Sequence, residues 1–255
     1  MRTRLRLLPL LMLSLSILTG LFLLCPVETS AENAISSNLD EAIFTLDAPK
    51  LKAEAEKLKG VTNPEGVAEL GKIYFKLAEY YELKSPDNKG ADWDESELYV
   101  NLALETLRKA GSFEKATFDT HFYLMRTLIY RVRHYGGGML DVMKIMPLTS
   151  EATKEVETMA KLEPGNPLIS LARGIQALYK PEFVGGGIAP SVAELEKALK
   201  SSPDNSEILY WLGRAYSYTG AKGRDSQKAK EYLEKAMQVN PKDNRFKMEL
   251  QKIKI

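Results

Sequence analysis

At 255 residues, 44% of them apolar and 27% charged, the chain has the makeup of an ordinary folded protein and room for one large domain or two small ones. Its net charge is +1, and without residues 1–31 it holds 32 basic and 33 acidic residues. That balance excludes a nucleic-acid binder built on a basic face and a polyelectrolyte tail.

The N-terminus reads as a targeting segment. Arg2, Arg4 and Arg6 precede an apolar stretch from Leu7 to Cys25, and Thr29-Ser30-Ala31 offers small residues for cleavage before Glu32. We expect a signal peptide over residues 1–31 and a periplasmic or secreted protein. The alternative is an inner-membrane anchor formed by residues 7–25, since roughly 20 apolar residues span a bilayer. Cys25 is the single cysteine, and Leu24 before it with Pro26 after it does not suit lipid attachment. Cleavage after Ala31 would leave no thiol for a disulfide, a zinc site or an iron–sulfur cluster.

Residues 32–47 have weak periodicity and are expected to form a flexible lead-in to a domain over 48–255. Leu51, Ala55 and Leu58 then mark a first flanking helix with one apolar stripe. Pro64 opens the next helix, which carries Leu70, Gly71 and Tyr74. Its partner carries Ala103, Leu107 and Ala110, after an expected loop around Ser85–Trp93. The acidic run there lacks the ligand alternation of a calcium loop, and Asp94 with Glu97 suits a helix-capping box.

A helix dense in Phe, Tyr, Leu and Met is expected from about Ala116 to His134. His121 and His134 lie on it, 13 residues and roughly 20 Å apart, too far to share a metal. His121 falls where a core aromatic is expected. Next come Gly136-Gly137-Gly138 and an insert whose Met139, Met143 and Met146 form a soft apolar stripe. Ala152, Val156, Met159 and Pro164 follow on a second helix.

From here the chain repeats itself. Pro164, Pro203 and Pro241 are 39 and 38 residues apart, Gly174 and Gly213 are 39 apart, and Leu195 and Leu233 are 38 apart. Such self-similarity marks a solenoid. A second glycine triplet, Gly185-Gly186-Gly187, lies inside one repeat. Neither triplet is followed by Lys-Ser or Lys-Thr or preceded by a strand, so we expect widened turns rather than phosphate loops. Phe246, Leu250 and Ile253 mark a final flanking helix.

The last unit sets Leu212, Gly213, Tyr216, Ala229, Leu233, Ala236 and Pro241 at positions 7, 8, 11, 20, 24, 27 and 32 of a tetratricopeptide repeat, with four extra residues between its halves. Small residues stand where two helices approach closely, and large ones fill the space beside them. The chain thus resembles the tetratricopeptide repeat family. The glycine-rich turns over residues 115–241 also resemble those of bacterial extracytoplasmic repeat proteins such as the T component of TRAP-type transporters. The resemblance implies an all-α, helical-hairpin solenoid of about four irregular repeats with flanking cap helices, acting as a scaffold for a protein partner in the cell envelope. It implies no enzyme, cofactor or metal.

The family lines its concave groove with first-helix residues. Carried over, those positions are Asp119, Phe122, Arg126, Ile129 and Tyr130; Leu168, Leu171, Ile175, Leu178 and Tyr179; and Glu207, Tyr210, Arg214, Ser217 and Tyr218. The binding candidates among them are Phe122, Arg126, Tyr130, Leu171, Ile175, Tyr179, Tyr210, Arg214 and Tyr218. Such a groove would be apolar and aromatic in its middle. It would suit a hydrophobic helix or, alternatively, a hydrophobic or organic small molecule held by a periplasmic carrier or transport-accessory protein. Residues 139–146 could instead cover it. Ile175→Glu separates an open groove from a covered one, since only a covered one unfolds.

Overall fold

A computed structural model describes residues 39–85, 87–135, 139–218 and 222–253. The expected signal peptide, the first glycine triplet and the first part of the lead-in lie outside these residues. All regular structure among the described residues is helical, and no helix there is long and apolar enough to cross a membrane.

After a helical stretch over residues 39–45, the α-helices are α1 (Ala48–Lys57), α2 (Pro64–Lys84), α3 (Ala91–Gly111), α4 (Phe118–Arg133), α5 (Met139–Leu162), α6 (Pro167–Tyr179), α7 (Ile188–Ser201), α8 (Ser206–Ser217), α9 (Ser226–Val239) and α10 (Asn244–Lys252). Their starts follow from local chemistry. Asn63, Thr117, Asn166, Asn205, Asp225 and Asp243 each accept a hydrogen bond from a first-turn N–H, satisfying donors that have no partner within the helix. Pro64 and Pro167 follow two of these caps, where a missing N–H costs nothing.

Helices α2/α3, α4/α5, α6/α7 and α8/α9 pack as four successive hairpins. One contact recurs in three of them. A Cβ on Gly71 would stand 2.6 Å from Leu107 Cγ, on Gly174 2.7 Å from Leu195 Cγ, and on Gly213 2.6 Å from Leu233 Cγ. Glycine therefore lets each first helix close onto a leucine of the second. Ser96 and Ser191 add a hydroxyl bond to the carbonyls of Ala78 and Gly174. The even-numbered helices α2, α4, α6 and α8 form the inner layer, each touching the next. Helix α10 then packs against α2, joining the last described helix to the first of the inner layer.

Three expectations need correction. Residues 39–45 are helical, and Leu39, Ala42 and Leu46 are buried in the core, so this part of 32–47 is not a flexible lead-in. Three apolar side chains at helical spacing suffice once a neighbouring face is there to receive them. The side chains of residues 141–146 do not form a buried cover for the inner face. These residues lie in the first turns of α5, and Val142, Met143 and Met146 are exposed. Finally, α3 begins three residues before Asp94, at Ala91 after Gly90. Asp92 and Asp94 sit in its first turn beside the positive helix end, and Asp92 pairs with Lys84 at 3.0 Å.

Candidate functional site

The inner face holds a buried charged cluster. Helix α2 supplies Lys76, Glu79 and Glu82, spaced so that all three point from one face. Helix α4 adds Arg126, Tyr130 and Arg133, α8 adds Glu207, Tyr210 and Arg214, and α10 with its preceding turn adds Asp243, Arg245, Phe246 and Glu249. Five cations meet five carboxylates here. A charge removed from water needs such partners, because burial alone would neutralise it.

The cluster has two connected layers. In the first, Glu79 accepts from Lys76 at 2.8 Å, Arg126 at 3.1 Å and Arg245 at 3.3 Å. Glu207 pairs with Arg126 at 3.0 Å and with Arg245 at 2.6 Å, and accepts from the Trp211 indole N–H at 3.0 Å. In the second, Glu82 pairs with Arg133 at 2.5 Å and Arg214 at 3.2 Å, while Arg214 Nε reaches Glu249 at 3.2 Å. The Tyr130 hydroxyl joins the layers: it accepts from Arg214 at 3.1 Å and donates to Glu79 at 3.3 Å. Aromatic faces line the cations, with Arg126 over Phe75 at 4.6 Å and Arg245 over Tyr210 at 4.7 Å.

These contacts set the protonation states. Burial raises the Glu79 pKa, but Arg245, Lys76 and Arg126 outweigh it and hold the carboxyl at about 2. Glu82 and Glu207 are likewise pulled below the usual carboxylate range against their burial, by Arg133 and Arg214 and by Arg126 and Arg245. Burial, with Arg245 beside it, lowers the Lys76 pKa. Burial also raises the Tyr130 and Tyr210 hydroxyls well above their ordinary value, so both are neutral hydrogen-bonding groups.

Of the nine candidates read from the sequence, Phe122, Arg126, Tyr130, Leu171, Ile175 and Tyr210 are buried. Tyr179 and Arg214 are half-buried, and Tyr218 stands at the rim, 37% exposed. The concave face is therefore covered in part by α10 of the same chain, which packs on α2. Leu171 and Ile175 join the hydrophobic core, whereas Arg126, Tyr130, Tyr210 and Arg214 meet in the cluster. The expected apolar middle is flanked by ion pairs.

Lys76, Glu79, Glu82, Arg133, Asp243, Arg245 and Glu249 escaped the sequence reading. One signal was available: Lys76, Glu79 and Glu82 recur at three-residue steps among Ile73, Leu77 and Ala78, which are fully buried. Charges at that spacing inside an apolar stretch imply a polar core.

The other singled-out residues have structural roles. His121 Nδ1 lies 2.6 Å from Glu155 and ties α4 to α5. His134 stacks on Trp93 with ring centres 4.0 Å apart. In the second glycine triplet, Gly185 and Gly187 have φ of 84° and 102°, and the Gly187 N–H donates to Ala177 at 2.8 Å. A side chain on Gly186 would strike the Lys180 carbonyl. The triplet is a turn folded against the end of α6.

Residues 194–231 match the family described as tetratricopeptide repeat. The matched stretch runs from within α7, through α8, into α9. No curated protein matches the chain. Repeats of this family serve typically as non-enzymatic scaffolds for protein partners, and the recurring glycine–leucine contact extends the same hairpin construction to α2/α3 and α6/α7. The chain carries a tetratricopeptide repeat over residues 194–231, within a stack of helical hairpins whose inner layer is packed against its own helix α10.

Proposed function

We propose that the protein is an extracytoplasmic scaffold that engages a protein partner through its concave face, after export directed by residues 1–31. The observation that carries the reading is α10 itself. A helix is seated against the inner layer with Phe246 fully buried and Arg245 bonded to both Glu79 and Glu207. The face has the shape and the chemistry to receive a helix. An acyl-like ligand in the same place would meet Glu79, Arg126 and Arg245, so the carrier alternative loses the apolar groove on which it rested. Arg2, Arg4, Arg6 and the apolar stretch to Cys25 support export.

A photo-crosslinking residue placed at Tyr218, on the groove rim, and separately at Lys235, on exposed α9, tests the reading in cells. A protein adduct at Tyr218 and none at Lys235 is expected. Adducts confined to Lys235 would overturn the concave-face assignment. Cell fractionation with N-terminal sequencing tests export, and a cytoplasmic protein still starting at Met1 would refute it.

A further inference from the structure

We propose that α10 is a displaceable intramolecular ligand, and that the partner segment replacing it is a helix bearing Arg, an aromatic residue and an acid at positions i, i+1 and i+4. This deepens the concave-face reading and rests on it. The pattern is that of α10: Arg245, Phe246 and Glu249.

Three observations support displacement. First, every wall residue that α10 engages keeps another partner without it. Glu79 retains Lys76 at 2.8 Å and Arg126 at 3.1 Å, Glu207 retains Arg126 at 3.0 Å, and Arg214 retains Glu82 at 3.2 Å. Removing α10 therefore leaves no buried charge alone, which is the usual penalty for breaking such a site. Second, α10 carries its own counter-charge, since Arg245 pairs with Asp243 at 2.6 Å. Third, α10 is nine residues long, lies at the end of the described chain, and buries one apolar side chain completely, Phe246, with Met248, Leu250 and Ile253 only partly covered. A helix so short is marginal in isolation, so its order depends on the face it occupies.

Recognition by a replacing helix then follows from the walls. Its Arg would sit between Glu79 and Glu207, its aromatic ring against Tyr210, where Phe246 lies at 5.6 Å, and its acid against Arg214. A partner without the Arg would leave the two carboxylates less well compensated, so the charge pattern confers selectivity as well as affinity.

The test uses the full chain. Arg245→Ala with Phe246→Ala should free α10 while the other helices stay folded. A fluorescein-labelled peptide of residues 240–255 should then bind this variant at least about tenfold more tightly than the wild type, whose site is already filled. The same peptide carrying both alanines should bind neither protein. A variant that retains its helical circular dichroism yet ignores the peptide would overturn the proposal. If the variant does not fold, hydrogen exchange on the wild type decides. Amides of α10 should open well before those of α8, and equal protection would refute displacement. A partner adduct at Tyr218 with α10 protection unchanged in the complex would keep the scaffold reading and refute this one. Peptide binding with no adduct at Tyr218 would do the reverse.

Discussion

Arg245 donates to Glu79 at 3.3 Å across 166 positions of sequence, joining the last helix to the first long inner one. An open solenoid makes contacts only between neighbouring repeats. Here the ends also meet, and the surface that would face a ligand becomes a polar core.

Glu79 should be the keystone of that core. It is fully buried and faces Lys76, Arg126 and Arg245. Glu79→Gln should lower stability by about 3–5 kcal/mol, because it leaves buried cations under-compensated. Urea unfolding followed by circular dichroism reads the change. Glu234→Gln, which breaks the exposed pair with Lys230, should leave the midpoint where it is.

Stability should fall on acidification in two stages. His134 is kept below its ordinary 6.5 by burial, so it stays neutral in the fold while the unfolded chain takes up a proton. Its contribution is complete above pH 6.5 and declines as pH falls through the lowered folded value. Glu79, held at about 2, and the depressed Glu82 and Glu207 act next. Their contribution is complete above the ordinary carboxylate value of 4.5 and is lost as pH falls toward 2. Urea midpoints from pH 8 to pH 2.5 should show both declines, and His134→Asn should remove only the first.

Glycine substitutions should rank by what blocks the new methyl group. In Gly213→Ala the obstacle is the Leu233 side chain at 2.6 Å, which can shift, and a loss of about 1–3 kcal/mol is expected. In Gly186→Ala it is the Lys180 backbone, which cannot shift without moving the end of α6, so the loss should be larger. Thermal melts of the two variants would test the order.

Ile175→Glu and a paired change at Met143 and Met146 should behave oppositely. Ile175 has no exposed surface, so a carboxylate there should cost more than about 4 kcal/mol and unfold the chain. Met143 and Met146 are 72% and 65% exposed, and replacing both by Glu should change stability by no more than about 0.5 kcal/mol. Soluble yield and melting temperature distinguish the two.

The sequence by itself determined the hairpins. Leu212, Gly213, Leu233 and Ala236 reveal their packing because the contacts that select them lie within one repeat, and helix periodicity carries short-range geometry directly. The helix start at Pro64 was legible for the same reason, and so were the turn at Gly185-Gly186-Gly187 and the apolar stripe of Leu51 and Ala55. Only the tertiary structure decided what fills the concave face. Glu82 and Arg214 are 132 positions apart, and no spacing within either helix says that the two meet. They become a core pair because the curvature of the four hairpins brings α8 back to α2. That curvature is a sum of small rotations between repeats, to which every inter-helix contact contributes and which no local spacing encodes.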